Sequence, residues 1–428
     1  MANERPYLLD VTRLIWRRWV GRLPTGIDRV CLAYLEYYRG EAQAVIQRRG
    51  FRRILSAAAS DRLFEHLVDP RRTVRRDLVR LLGRERLRIS RPLAGRGRLY
   101  FNVGHTALQD AGYLDWTRAS DVRPVYMIHD LIPITHPEYC RAGEAERHVG
   151  RVRNMLTSAI GIIGNSRATL DSLAGFAAHQ AISVPATIAA PLGTDLRGQR
   201  PDTVSPSERP TFVMLGTIEA RKNHLLLLQI WADLVRAHGT DAPRLLIIGQ
   251  RGWECEHVFD LLDHNEELRG AVVEVGQCSD VDLDRHLRGA RALLFPTLVE
   301  GYGLPLIEAL ALGTPVIASN LPVFHEIGQE IPDFIDPLDG PAWQAAILSY
   351  ASDRSVARDA QIARLAAFRA PTWDDHFAKI EAWLATLCDE GLAQSRCARF
   401  STKVVTADSL ASPPRTRQRS TSTRLNAE

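Results

Sequence analysis

The sequence has little cysteine, and what it has is scattered. Its six cysteines (Cys31, Cys140, Cys255, Cys278, Cys388, Cys397) form no CxxC pair and no metal-ligand spacing, which excludes a disulfide scaffold and a zinc module. They are expected to be reduced, mostly buried thiols of a cytosolic protein. No run of about 18 apolar residues occurs, so no membrane-spanning helix is expected. The opening MANERPYLLDVTRLIWRRW is not a signal peptide, because Asp10, Arg13 and Arg17 break its short apolar run. Residues 48–98 lack lysine altogether. They hold 16 arginines and five acids, a local charge of +11 in a chain of +4. Such an excess suits either a solvated face or an anionic partner such as a phospholipid surface. Aromatics in and beside it are few (Phe51, Phe64 and, just beyond, Tyr100), so a nucleic-acid binder is not expected.

What is present is ordinary for a folded protein. The 428 residues, 45% hydrophobic and 24% charged, are enough for two or three domains with sizeable cores. Short apolar runs alternate with helical patterns, which argues for α/β layers with parallel sheets. Strands are expected at Tyr7–Leu9, Arg98–Val103, Val122–Ile128, Ala159–Gly164, Thr211–Leu215, Arg244–Ile248, Val272–Val275, Ala292–Phe295 and Pro315–Ala318. The polar, Pro- and Ser-containing stretch Asp195–Pro210 reads as a linker between two doubly wound domains. Ligands bind such domains at the carboxyl ends of strands, and two of them facing each other make the intervening cleft the default site. After about residue 390 the pattern stops, and 391–428 reads as a disordered tail.

The most informative stretch is FPTLVEGYGLPLIEALALGTPVIAS, residues 295–319. Gly301 and Gly303 allow positive φ and close approach of backbone to a ligand. Pro305 suits the first turn of a helix expected over about Leu306–Leu312, ending at Gly313. The start of that helix attracts phosphate through its N–H groups and dipole. Glu300 and Glu308 flank the turn and can point into one crevice, where carboxylates accept from vicinal hydroxyls. Hydroxyls on either side of a phosphate describe a sugar nucleotide. Taken alone, the two glutamates are equally a loop carboxylate and a helix-dipole partner.

EGYGLPLIEALALGTPVIAS resembles the E-x7-E region of retaining family-4 (group 1) glycosyltransferases of the GT-B fold. The resemblance implies two Rossmann-like doubly wound domains facing across a cleft: an acceptor-side domain over 1–200, completed by a crossing helix at 372–388, and a donor domain over 201–371. It places Glu300 on the donor sugar and Glu308 on the ribose, with the backbone of Tyr302, Gly303 and Leu304 at the sugar or diphosphate. LGTIEARKNHLLLL (215–228) resembles the family's segment after the first donor strand, where Gly216 lines the donor and Arg221 and Lys222 neutralise the leaving diphosphate. YMIHDLIPITHPEYC (126–140) resembles the segment that sets a histidine, here His129, beside the reacting sugar. GIIGNSRATLDSL (161–173) resembles a strand–Ser–helix segment in which Asn165 or Ser166 caps the helix. LPTGIDRV (23–30) resembles the N-terminal glycine loop, with the single glycine Gly26 and a contribution from Arg29.

The implied activity is transfer of a sugar, by resemblance mannose from GDP-mannose, to an acceptor hydroxyl. A lipid-linked saccharide at the cytoplasmic membrane face is the expected acceptor, with the Arg-rich 48–98 segment on anionic lipid. No metal and no cofactor are expected, since Arg221, Lys222 and the helix start supply the positive charge. DVDLD (280–284) reads as a helix start capped by Ser279 or Asp280 rather than as a metal motif. A non-catalytic sugar-nucleotide binder, and an epimerase or phosphorylase of related architecture, are the alternatives.

Overall fold

The structure is a computed structural model, and it describes residues 5–21, 25–48, 50–69, 94–194, 209–276 and 278–389. Residues 70–93 of the Arg-rich segment, most of the Asp195–Pro210 linker and the 391–428 tail lie outside these residues. Two compact units are distinguished, the first ending at Phe377 and the second beginning at Ala378.

The first unit holds two sheets. One contains β1 (Tyr7–Asp10), β2 (Ala42–Arg48), β3 (Phe51–Ile54), β4 (Arg98–Asn102), β5 (Val122–Ile128), β6 (Gly161–Gly164) and β7 (Ala186–Ala189), in the order β3-β2-β1-β4-β5-β6-β7. Its neighbours pair in parallel except β2 with β3, a hairpin in the register Val45↔Ile54 to Arg48↔Phe51. The other sheet contains β8 (Thr211–Leu215), β9 (Arg244–Ile248), β10 (Val272–Val275), β11 (Leu293–Phe295), β12 (Val316–Ser319) and β13 (Asp333–Ile335), in the order β10-β9-β8-β11-β12-β13 and parallel throughout. This is the 3-2-1-4-5-6 order of a doubly wound sheet, whose switch point lies between β8 and β11.

Each sheet has its own core. Tyr100, Tyr113, Tyr126, Met155 and Leu173 are buried on the first, and Phe212, Trp231, Ile247, Leu294 and Trp343 on the second. Parallel strands covered on both faces need continuous apolar runs, and LLFP, RLLII and TFVML supply them. All nine expected strands form, with ends moved by a residue or two. Four others were not anticipated: β2, β3, β7 and β13. The β2 sequence AQAVIQR hides two glutamines in the core. Gln43 donates to Leu55 O at 2.6 Å, and Gln47 donates to Asp10 Oδ2 at 2.6 Å and Tyr100 Oη at 2.8 Å. Buried amides with partners satisfy burial as well as apolar groups do, but they erase the hydrophobic signal.

After the second sheet the chain returns toward the first. The helix Trp373–Asp389 begins there: Tyr37 stacks on Phe377 with centroids 3.9 Å apart, and Tyr34 Oη lies 3.0 Å from His376 Nε2. His376 Nδ1 lies 2.9 Å from Pro191 O, so Nδ1 carries the proton and Nε2 accepts from the tyrosine. From Ala378 the second unit's described residues continue as helix to Asp389.

Cys31, Cys140, Cys255 and Cys278 are free thiols; Cys31 and Cys255 are buried, whereas Cys140 and Cys278 are half-buried.

Candidate active site

The two strands at the switch point of the second sheet end in loops that lock together. After β8, Gly216 turns the backbone at φ +139. A short turn, Ala220–Lys222, follows, and Asn223 at φ +61 starts the helix His224–His238. After β11 the loop 296–300 runs alongside. Leu298 N donates to Arg221 O at 2.8 Å and Thr297 Oγ1 to the same oxygen at 2.9 Å. Asn223 Nδ2 donates to Pro296 O at 3.2 Å and Pro337 O at 3.0 Å.

This stitching brings three charges together. Arg221 Nη1 lies 2.9 Å from Glu300 Oε2, and Lys222 Nζ binds the same carboxylate oxygen. Arg221 Nη2 also reaches Glu219 Oε1 at 2.7 Å. Lys222 is only 6% exposed, with its ammonium 4.8 Å from the centre of the Phe295 ring. A β-carbon built on Gly216 would lie 3.6 Å from Lys222 Cε. Burial alone would raise the Glu300 carboxyl, but the charges of Arg221 and Lys222 outweigh it and hold it at about 2. Burial likewise lowers the Lys222 ammonium, and Glu300 opposes that shift. Fixed cations at the carboxyl ends of two strands are the kind of group that stabilises negative charge, and a carboxylate accepts from hydroxyls.

The loop after β9 is packed against the turn that carries Arg221 and Lys222. Ile218 N donates to Gln250 O at 2.9 Å and Gly252 N to Ile218 O at 3.0 Å. A β-carbon on Gly249 would lie 1.9 Å from Gly216 O. Gly249→Ala is therefore expected to push the two loops apart and cost about 1–3 kcal/mol, the usual range for overpacking. Thermal melting checks this, and an unchanged melting temperature would show that the backbone there yields freely.

The glycine turn and its helix follow Glu300. Gly303, at φ +114, precedes the helix Leu304–Ala311, which has Pro305 in its first turn. The helix begins two residues before the expected Leu306 and ends at Ala311, with Leu312 as the cap and Gly313 at φ +80 just beyond. Glu308 is 4% exposed. Glu300 and Glu308 are not joined to each other. Glu308 Oε1 instead receives Arg29 Nη1 at 2.5 Å, from the helix Gly26–Tyr38 behind β1. A β-carbon on Gly26 would lie 3.3 Å from Leu304 Cδ1. The Tyr302 side chain is buried and donates to Leu192 O at 3.1 Å.

His129 directly follows the first sheet's β5; it is 5% exposed, and its Nε2 lies 2.7 Å from Val103 O. Nε2 therefore carries the proton and Nδ1 is an acceptor. Burial lowers the His129 imidazole to about 4, so the ring is neutral near pH 7. His129 O accepts from Asn165 Nδ2 at 2.8 Å, and Ser166 rather than Asn165 caps the helix Arg167–His179. The glycine turn sits directly on this segment: a β-carbon on Gly301 would lie 2.6 Å from His129 O and 2.7 Å from Asp130 Cβ. Glycine at 301 is thus dictated by close approach, not by positive φ. Thr169 Oγ1 donates to Gly301 O at 3.2 Å, and Glu326 accepts from Arg167 N at 2.7 Å.

Sequence reasoning passed over Arg13, Arg17 and Asp28. The buried Asp28 carboxylate receives Arg13 Nε at 2.6 Å, Arg17 Nε at 2.5 Å and Thr25 N at 2.7 Å. Burial works to raise it, yet Arg13 and the Thr25 hydrogen bonds hold it below the usual carboxylate range. The available signal was arginine at i and i+4 of one helix with an acid in the first turn of the next. Ser279 caps the helix Asp280–Gly289, accepting from Asp282 N, so DVDLD forms a helix start. Among the described residues no group of three or more His, Cys, Asp or Glu is placed to hold a metal ion.

The profile of the family described as "Glycosyl transferases group 1" matches residues 197–353. These residues are a group 1 glycosyltransferase domain. The matched span contains Gly216, Arg221, Lys222, Glu300, Tyr302, Gly303, Leu304 and Glu308. The serotype-specific mannosyltransferase WbdA of Escherichia coli is 30% identical over 232 residues, 51% of this chain and 28% of WbdA. The O-antigen chain mannosyltransferase B of E. coli is 32% identical over 161 residues, 38% of this chain and 42% of that protein. The chain thus spans less than half the length of these curated relatives. Among solved structures, Anabaena Alr3699/HepE in complex with UDP aligns with a TM-score of 0.63 at 14% identity, covering 89% of this chain and 99% of that one. Sucrose-phosphate synthase from Thermosynechococcus elongatus aligns at 0.59 and 18% identity, covering 91% and 100%. The group 1 domain and the sheet before it together form a GT-B fold.

Proposed function

We propose that the chain is a glycosyltransferase that moves a hexosyl group from a nucleoside-diphosphate sugar to an acceptor hydroxyl. The observation that carries this is the Glu300 carboxylate buried between Arg221 and Lys222 at the carboxyl ends of β8 and β11. In this reading Glu300 accepts from the donor sugar's hydroxyls and Glu308 from the ribose. The backbone of Tyr302, Gly303 and Leu304, with Gly26 and Gly216, lines the diphosphate, and Arg221 and Lys222 meet its charge. His129, neutral with Nδ1 as acceptor, faces the sugar.

The step breaks the bond between the anomeric carbon and the β-phosphate oxygen and forms one to the acceptor oxygen. The diphosphate leaves with the electron pair and takes up the acceptor's proton. Departure on the same face as attack retains the anomeric configuration. In this reading Arg221 and Lys222 meet the negative charge as it grows, so we propose that the step needs no metal. Mannose is the proposed sugar and GDP-mannose the donor, since most of the curated relatives are named mannosyltransferases. A lipid-linked saccharide in surface polysaccharide assembly is the proposed acceptor, because two of them are named for the O-antigen chain. No described helix is long and apolar enough to cross a membrane. We place the enzyme on the cytoplasmic membrane face, with the Arg-rich 48–98 segment on anionic lipid.

Thermal melting with GDP, UDP, dTDP and ADP, with and without divalent metal, tests the donor site. Ligands that bind the native state raise the melting temperature by mass action. The expected result is a selective rise with GDP that is lost in a folded Glu308→Ala variant. No rise with any nucleotide overturns the reading.

A further inference from the structure

One residue on the donor side belongs to neither expected motif. Trp253 directly follows the loop that Gly249 and Gly252 press against residues 216–218. It is half-buried, and the guanidinium of Arg141 lies over its ring, 5.2 Å from the centroid. Arg141 comes from the other sheet, in the segment that leaves β5 after His129. The contact therefore spans the two carboxyl-end loop sets, as the glycine turn does. The residue before Trp253, Gly252, donates its N–H to Ile218 O at 3.0 Å, three residues before Arg221, so the loop that carries Trp253 borders the turn that carries the cations. The neighbouring Arg251 is held away by Asp263 at 2.5 Å and Glu274 at 2.7 Å, leaving Trp253 as the loop's aromatic face.

A flat cation on an indole face at the edge of a diphosphate pocket marks the place an aromatic ligand ring would take. Guanidinium and nucleobase are both planar, and both stack on tryptophan. Resting on the donor-site reading above, we propose that Trp253 is the wall on which the donor's nucleobase stacks, and that the base takes the place Arg141 occupies in the ligand-free protein. Trp253 then sets base affinity while Arg221 and Lys222 set phosphate affinity, through separate parts of one ligand.

Isothermal titration of the full chain with GDP, UDP and inorganic pyrophosphate tests this, using wild type, Trp253→Leu, Trp253→Phe and Arg141→Ala, each first shown to melt like wild type. Base–aromatic stacking predicts that Trp253→Leu weakens nucleoside diphosphate binding about tenfold or more. Pyrophosphate binding stays as in wild type, and Trp253→Phe recovers most of the loss. Arg141→Ala leaves nucleotide binding unchanged or tighter, whereas a contact that merely clamps the sheets together predicts parallel losses in both variants. The wall is overturned if Trp253→Leu binds GDP and UDP like wild type, if it loses pyrophosphate in proportion, or if Arg141→Ala loses as much as Trp253→Leu. A wild-type chain that binds none of the three ligands overturns the donor-site reading itself, and the wall with it.

Discussion

Glu300→Gln is expected to abolish sugar transfer and to destabilise the fold by roughly 3–5 kcal/mol, the cost of removing one partner from a buried ion pair. The carboxylate sits between Arg221 and Lys222, and Lys222 is almost wholly buried. The amide keeps the shape but removes the charge, leaving two cations facing one another in a site of low dielectric. Urea denaturation at pH 7 measures the loss, and a change under about 1 kcal/mol would show that water or a shifted Glu219 takes over. The pH dependence gives an independent check. Glu300 is held at about 2 against an ordinary 4.5. A depressed carboxyl contributes stability that is complete above its unfolded value and lost as pH falls through the folded one. The gap between wild type and Glu300→Gln should therefore be full at pH 7 and shrink between about pH 4.5 and 2. A gap that stays constant through that range would mean the carboxylate owes its effect to packing.

Much of this site was legible in the sequence because its parts are local. The glycine turn, Pro305 and the apolar helix behind it are read from neighbouring residues, and so is the strand that feeds Glu300. The R-K-N turn is equally compact. What could not be read depends on which loops meet. Nothing in GIDRV says that Arg29 will reach Glu308, 279 residues away. Gly301 looks like a turn glycine, but its requirement comes from His129 O and Asp130 Cβ on the other sheet. The Tyr302 hydroxyl donates to Leu192 O, a partner that only the folded chain supplies. In the fold the gap follows the same line. The strand β2 was passed over because its buried glutamines are satisfied by Asp10, Tyr100 and Leu55, partners that only the folded sheet supplies. Arg13 and Arg17 look like surface charge until Asp28 is seen beneath them.

Lys222→Met should separate catalysis from stability where Glu300→Gln merges them. The chain has three lysines among its 54 basic residues, and Lys222 is the one in the group 1 domain. Its pocket is shaped for a compact ammonium, bounded by the Phe295 ring on one side and Gly216 on the other. Methionine fills the same volume without the charge, and Arg221 remains at 2.9 Å to hold Glu300. Replacing a whole buried ion pair by apolar groups is often neutral or stabilising, whereas removing one partner costs stability. With Arg221 still paired to Glu300, the melting temperature is expected to fall by less than in Glu300→Gln. Transfer behaves differently, because the diphosphate gains negative charge only as the anomeric bond breaks, and a cation fixed at that point acts mainly on the transition state. The expected loss is about 10²–10³-fold in kcat with a smaller change in KM. Lys222→Arg should not restore the rate, since a planar fork does not fit where a point charge sits between a ring and a glycine. A Lys222→Met enzyme with kcat within a few-fold of wild type would assign the diphosphate's charge to Arg221 and the helix start alone, and would make Lys222 a partner that holds Glu300 in place.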